Sequence, residues 1–135
     1  IPLSSYVIKS ANKYKTFVFF NKMDPKKIKI LKRFKVKLIH TPLNEDNEFD
    51  LKELLTKIRD LGFSRIFLET GIKLTNSFLD NDLVDVFHLF ISNKSLGING
   101  KNNFRNLMHV YFKKNKFFKE KVNLFDDKFI SYRIK

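Results

Sequence analysis

Residues 64–85 read SRIFLETGIKLTNSFLDNDLVD, in which an apolar run, Ile66-Phe67-Leu68, delivers a carboxylate at Glu69, breaks at Gly71 and resumes with helical spacing. A strand that ends in an acid, turns on glycine and opens a helix is the joint from which open α/β sheets are built. Ligands of such sheets sit beyond the carboxyl ends of the parallel strands. The first amides of the helix, expected around Leu74 to Ser77, have no intrahelical acceptor and favour an anion through their N–H groups and the helix dipole. The hydroxyls of Thr75 and Ser77 and the ammonium of Lys73 would add to that cradle. Plainer readings stand beside it. Thr75 or Ser77 would serve as caps, Glu69 would pair with a neighbouring lysine, and Asp85 would be a turn residue. A single glycine also carries far less information than a G-x-G-x-x-G fingerprint.

Upstream of this joint the same alternation repeats. Thr16 to Phe20 is an unbroken apolar run rich in aromatic and β-branched residues, as expected for a strand buried on both faces. Asp24-Pro25 supplies an N-cap and a first-turn proline, and Ile28, Leu31 and Phe34 follow at helical spacing between lysines. Val36 to Ile39 reads as the next strand and Asn44 to Glu48 as a polar loop. Asp50 and Glu53 then have the spacing of a capping box, with Leu51, Leu54, Leu55 and Ile58 on one face and Gly62 at the C-cap. A strand over 64–69, a short helix from Thr75 to Asn81 and a strand from Val84 to Ser92 complete a βαβαβαβ order. The turn-rich residues 97–103 interrupt it, and strands Phe117 to Phe125 and Lys128 to Ile134 form a C-terminal hairpin around Asp126-Asp127. The expected fold class is therefore α/β: three layers, α/β/α, with a largely parallel sheet and a C-terminal antiparallel hairpin, in one domain over residues 1–135.

Composition narrows the chemistry. The chain has 135 residues, no cysteine and a formal net charge of +13. The lack of cysteine excludes disulfides, a thiolate nucleophile and cysteine-ligated zinc within the chain. His40, His88 and His109 are too far apart in sequence for a metal-ligand spacing, so neither a metal site nor a catalytic residue is assigned. No apolar run approaches the roughly 18 residues of a membrane span, and no signal-peptide pattern opens the chain, so a cytoplasmic protein is expected. The positive charge suits a polyanion, but 22 of the 27 basic residues are lysines, whereas readers of nucleic-acid bases favour arginine forks.

The series Glu69-Thr70-Gly71, Leu74, Phe78-Leu79, Leu83-Val84-Asp85 and Lys94-Ser95-Leu96-Gly97 resembles one found in the pyrimidine reductases of riboflavin biosynthesis. There a Glu-Gly-Gly turn, a leucine-rich helix, a Leu-Val-Asp-Glu entry and a strand closing on Pro-Lys-x-Leu-Gly follow in the same order. The likeness covers nearly the whole chain and is distinctive from about Leu61 to Gly97. It departs at Thr70, which replaces the first glycine, at Lys73, where a small hydroxyl residue is common, and at Val86 and Asn93.

The resemblance implies a dihydrofolate-reductase-like fold. The reaction it implies is hydride transfer from NADPH to C1′ of 5-amino-6-(5-phosphoribosylamino)uracil, with the cofactor carrying the chemistry and the protein aligning the reactants. It matches Glu69 to the glutamate that holds the substrate's sugar hydroxyls. Gly71, Ile72, Lys73, Leu74, Thr75, Asn76 and Ser77 match the turn and helix start that hold the cofactor's phosphates. It further implies a homodimer and a parent chain with an N-terminal zinc deaminase domain. The chain opens at Ile1 rather than at methionine and so reads as processed or excised from something longer. Since the family's reductase domain starts well before the piece that resembles Ile1, the resemblance implies the C-terminal portion of a reductase domain whose N-terminal part is missing, incompetent for turnover alone.

The alternative is a basic nucleic-acid-binding module. It would use Lys26, Lys27, Lys29, Lys32, Arg33, Lys35 and Lys37, or the 113–121 segment with Phe117 and Phe118 as stacking platforms. An aromatic hairpin with strand 84–92 would also suit a dimer contact.

Overall fold

The computed structural model of the chain describes residues 1–94, 117–119 and 126–135. They fall into two compact units, residues 1–66 and 67–135.

The first unit is a βαβ element with flanking helices. A short helix α1, Tyr6–Lys9, precedes strand β1, Phe17–Phe20, which leads through helix α2, Pro25–Arg33, to strand β2, Lys37–His40. β1 and β2 pair in parallel, from Phe17 opposite Lys37 to Phe20 opposite His40. The Asp24 carboxylate caps α2 by accepting from the Lys26 amide at 2.7 Å, and Pro25 occupies the first turn, as the sequence suggests. Ile8 and Ala11 meet Leu31 of α2 and Val36 in a small closed core, with Leu3, Val18, Met23 and Leu38 packed against it. All four residues of β1 are only half-buried, so this strand is not enclosed on both faces.

Helix α3, Leu51–Asp60, ends the unit. The Asp50 carboxylate accepts from the amides of Lys52 and Glu53, at 2.8 and 3.0 Å. The reciprocal half of the capping box does not form, because Glu53 turns outward to Lys57 at 2.9 Å, one helical turn on. Gly62, at φ +94°, closes α3 with amide bonds from Gly62 to Arg59 and from Phe63 to Ile58. α2 closes in the same way, but with Lys35 at φ 61° in the position where glycine is usual.

The second unit holds helix α4, Ile72–Asp80, and strands β3, Val86–Ile91, β4, Phe117–Lys119, and β5, Lys128–Arg133. The order is β3-β5-β4, antiparallel throughout, so the last strand lies between the other two. The C-terminal hairpin is present in this pairing of β4 with β5. Phe78 and Leu79 anchor α4, at 6% and 5% exposure.

The architecture is mixed α/β, with a parallel pair in one unit and antiparallel strands in the other. Among the described residues the parallel character is confined to β1 and β2. Residues 64–69, expected as a strand, have no ladder partner among the described residues, and Ile66, Phe67 and Leu68 are 47%, 72% and 37% exposed. Their apolar, β-branched composition favours a strand, but a strand exists only where a neighbour accepts its backbone bonds. The expectations for residues 97–112 and 120–125, and for the side chains of Phe117 and Phe118, lie outside the described residues.

Candidate functional site

α4 differs from α2 and α3 at its start. Those two helices begin on aspartates whose carboxylates occupy the first amides. α4 begins on Gly71, with no side-chain cap and no acid in its first turn. Its first intrahelical bond runs from the Thr75 amide to the Gly71 carbonyl at 3.1 Å. The Ile72 and Leu74 amides therefore precede any intrahelical acceptor, two residues earlier than the sequence pattern suggests, and the positive end of the dipole is not neutralised there.

Gly71 is informative because neither its backbone nor its packing requires glycine. Its φ and ψ of −74° and 169° are open to any residue, and a Cβ built on it meets no atom within 4 Å. Both Gly71 and the preceding Thr70 are exposed. What the missing side chain leaves is open room directly in front of the helix amides, the space that a phosphate group needs to approach them.

An open depression here is lined by Thr70, Gly71, Ile72, Lys73, Leu74 and Asn76. The Thr70 and Thr75 hydroxyls lie 3.0 Å apart, each within reach of the Gly71 carbonyl, at 3.3 and 3.2 Å. Thr75 is thereby tied to the turn and is not itself one of the lining residues. The Ser77 hydroxyl donates back to the Lys73 carbonyl at 3.2 Å and takes no part in the depression. Asn76 contributes a buried amide oxygen that has no hydrogen-bond partner. Thr70 is the lining residue that the sequence reading did not select. Its signal was a hydroxyl directly before a glycine, which has no meaning until the turn is seen.

Glu69 is exposed, two residues before Gly71, and no hydrogen bond or ion pair engages its carboxylate among the described residues. No lysine among the described residues pairs with it. No metal-binding group of histidines and acids occurs among the described residues. His40 meets the edge of the Phe20 ring and His88 stacks on Phe129, while His109 lies outside the described residues. No described helix is long and apolar enough to cross a membrane.

Fold and site together define a mixed α/β domain in which a glycine-led helix start is left open to an anion. Residues 1–121 match the family model described as the RibD C-terminal domain, and the chain belongs to that family, the pyrimidine reductase domain of riboflavin biosynthesis, whose fold is dihydrofolate-reductase-like. The family is a reductase that typically binds a nucleotide cofactor. No curated protein matches the chain.

Proposed function

We propose that this domain serves the NADPH-dependent reduction of 5-amino-6-(5-phosphoribosylamino)uracil, with the start of α4 as the seat of the cofactor's phosphates. The observation that carries this reading is the unfilled space at Gly71 before the Ile72 and Leu74 amides. The residues present fit the group: the first amides precede any intrahelical acceptor, the first helical turn holds no acid, and the glycine admits close approach. NADPH, when bound, supplies the hydride that reduces C1′ and opens the ribosyl ring to a ribityl chain.

The chain's own part is placement. The Ile72 and Leu74 amides donate to phosphate oxygens, and Lys73 adds positive charge in the same turn. Thr70 and Asn76 line the depression, and Thr75 holds Thr70 and the Gly71 turn in place through its hydroxyl. Glu69 accepts hydrogen bonds from the substrate's sugar hydroxyls, which orients the carbon to be reduced. Buried Phe78 and Leu79 keep the helix from retreating as the anion docks.

The protein is further proposed to be cytoplasmic and homodimeric. The dimer is favoured by the outer face of β3, an edge strand on which Val86 and Phe90 are 43% and 63% exposed. The deciding experiment is titration of the protein with NADPH, followed by nicotinamide fluorescence. Saturable binding that is weakened at least tenfold by Gly71→Val supports the reading, and equal affinity of both proteins removes it.

A further inference from the structure

The formal charge is not spread along the chain. Residues 1–40 hold eleven lysines and arginines against one acid, Asp24, a net +10; residues 41–94 hold six against ten, a net −4, and residues 95–135 hold ten against three, a net +7. A compositional preference for lysine would raise the count throughout. It would not clear acids from one third of the chain, and such asymmetry marks a surface for a polyanion.

The structure keeps that charge available. Ten of the eleven basic residues are exposed, Lys27 being half-buried, and none of the eleven forms an ion pair among the described residues. The carboxylate of Asp24 is taken up by the α2 cap. On α2, Lys26, Lys29 and Arg33 recur at intervals of three and four, which aligns them in one stripe about 10 Å long.

The opposite side of α2 settles the kind of partner. Leu31 is 1% exposed in the core with Ile8, Ala11 and Val36. The helix therefore has no apolar face to lay into a lipid surface without dismantling the unit. Lysine heads are point charges that suit phosphates and carry no base-reading fork, so the contact is to a polynucleotide backbone and not to a sequence. Tyr6, 76% exposed in the same unit, offers a ring face to an unpaired base, and Tyr14, 52% exposed, carries the Lys13 ammonium over one face of its ring at 5.3 Å, which leaves the other face for stacking. We infer that the N-terminal basic face of this domain binds single-stranded polynucleotide, without sequence preference, through the Lys26, Lys29 and Arg33 stripe.

The test is fluorescence anisotropy of a labelled 20-nucleotide oligouridylate with the whole protein. Three phosphate contacts predict about a 20-fold loss of affinity between 50 and 200 mM salt. Combined Lys26→Gln, Lys29→Gln and Arg33→Gln should weaken binding at least tenfold. Removing the same number of charges from α3 and the segment after it, with Lys52→Gln, Arg59→Gln and Arg65→Gln, should change it less than twofold. Tyr6→Ala with Tyr14→Ala should weaken the single strand several-fold and leave heparin binding unchanged. Equal losses in the two charge-neutralised proteins would mean that net charge alone attracts the strand, and would overturn the inference. Displacement by NADPH, or tighter binding to phosphatidylserine vesicles than to oligouridylate, would overturn it as well.

Discussion

The Thr75 amide donates to the Gly71 carbonyl at 3.1 Å, and this bond fixes where α4 begins. It leaves the amides before it directed out of the helix, in front of a residue with no side chain. The glycine can be exchanged without touching the fold, since its backbone lies in the extended region and its Cβ direction is empty. Gly71→Val should therefore melt within about 1 kcal/mol of the parent, with β-branching at an N-cap as the main cost. The same variant should lose at least tenfold in NADPH affinity. Thermal denaturation and cofactor titration on one preparation separate the two effects.

Glu69 tests the substrate side. Its exposed carboxylate has no described partner in the protein, so Glu69→Gln should leave stability and NADPH affinity unchanged. Loss of charge-assisted hydrogen bonds to sugar hydroxyls should weaken binding of the phosphoribosylamino-pyrimidine about 10- to 100-fold, corresponding to about 1.5–3 kcal/mol. Calorimetric titration with each ligand in turn would show the asymmetry.

Lys35 holds a left-handed conformation at φ 61° where α2 closes. Glycine adopts that conformation without the contact between Cβ and carbonyl that a lysine suffers. Lys35→Gly should stabilise the protein by about 0.5–1 kcal/mol despite the greater freedom of the unfolded chain. A lower urea midpoint than the parent's would refute this.

Thr41 follows β2, is fully buried, and has a hydroxyl with no hydrogen-bond partner. Its amide and carbonyl are engaged, by Phe20 and by Asn21. Valine keeps the shape and removes the unsatisfied oxygen. Thr41→Val should therefore raise stability by about 1 kcal/mol, measured by the same denaturation.

Much of this molecule follows from short-range chemistry. Asp24-Pro25 and Asp50 start helices because their carboxylates reach amides two or three residues away, and Gly62 ends one because it tolerates positive φ. These interactions lie within a single turn, so the residues alone determine them. The position of Glu69 and Gly71 ahead of a helix is legible for the same reason. The start of that helix at Ile72, and hence which amides stay open, depends on Phe78 and Leu79 finding a surface to bury against.

Pairing between strands was decided by tertiary structure. The run 66–68 has the composition of a strand yet carries no ladder among the described residues, while Lys128 to Arg133 inserts between β3 and β4. Side-chain periodicity reports which face of a segment seeks burial and says nothing about which neighbour accepts its hydrogen bonds. The direction of the Ser77 hydroxyl, back to the Lys73 carbonyl, was likewise fixed only once the helix existed, because its acceptor is a backbone oxygen that the helix itself places.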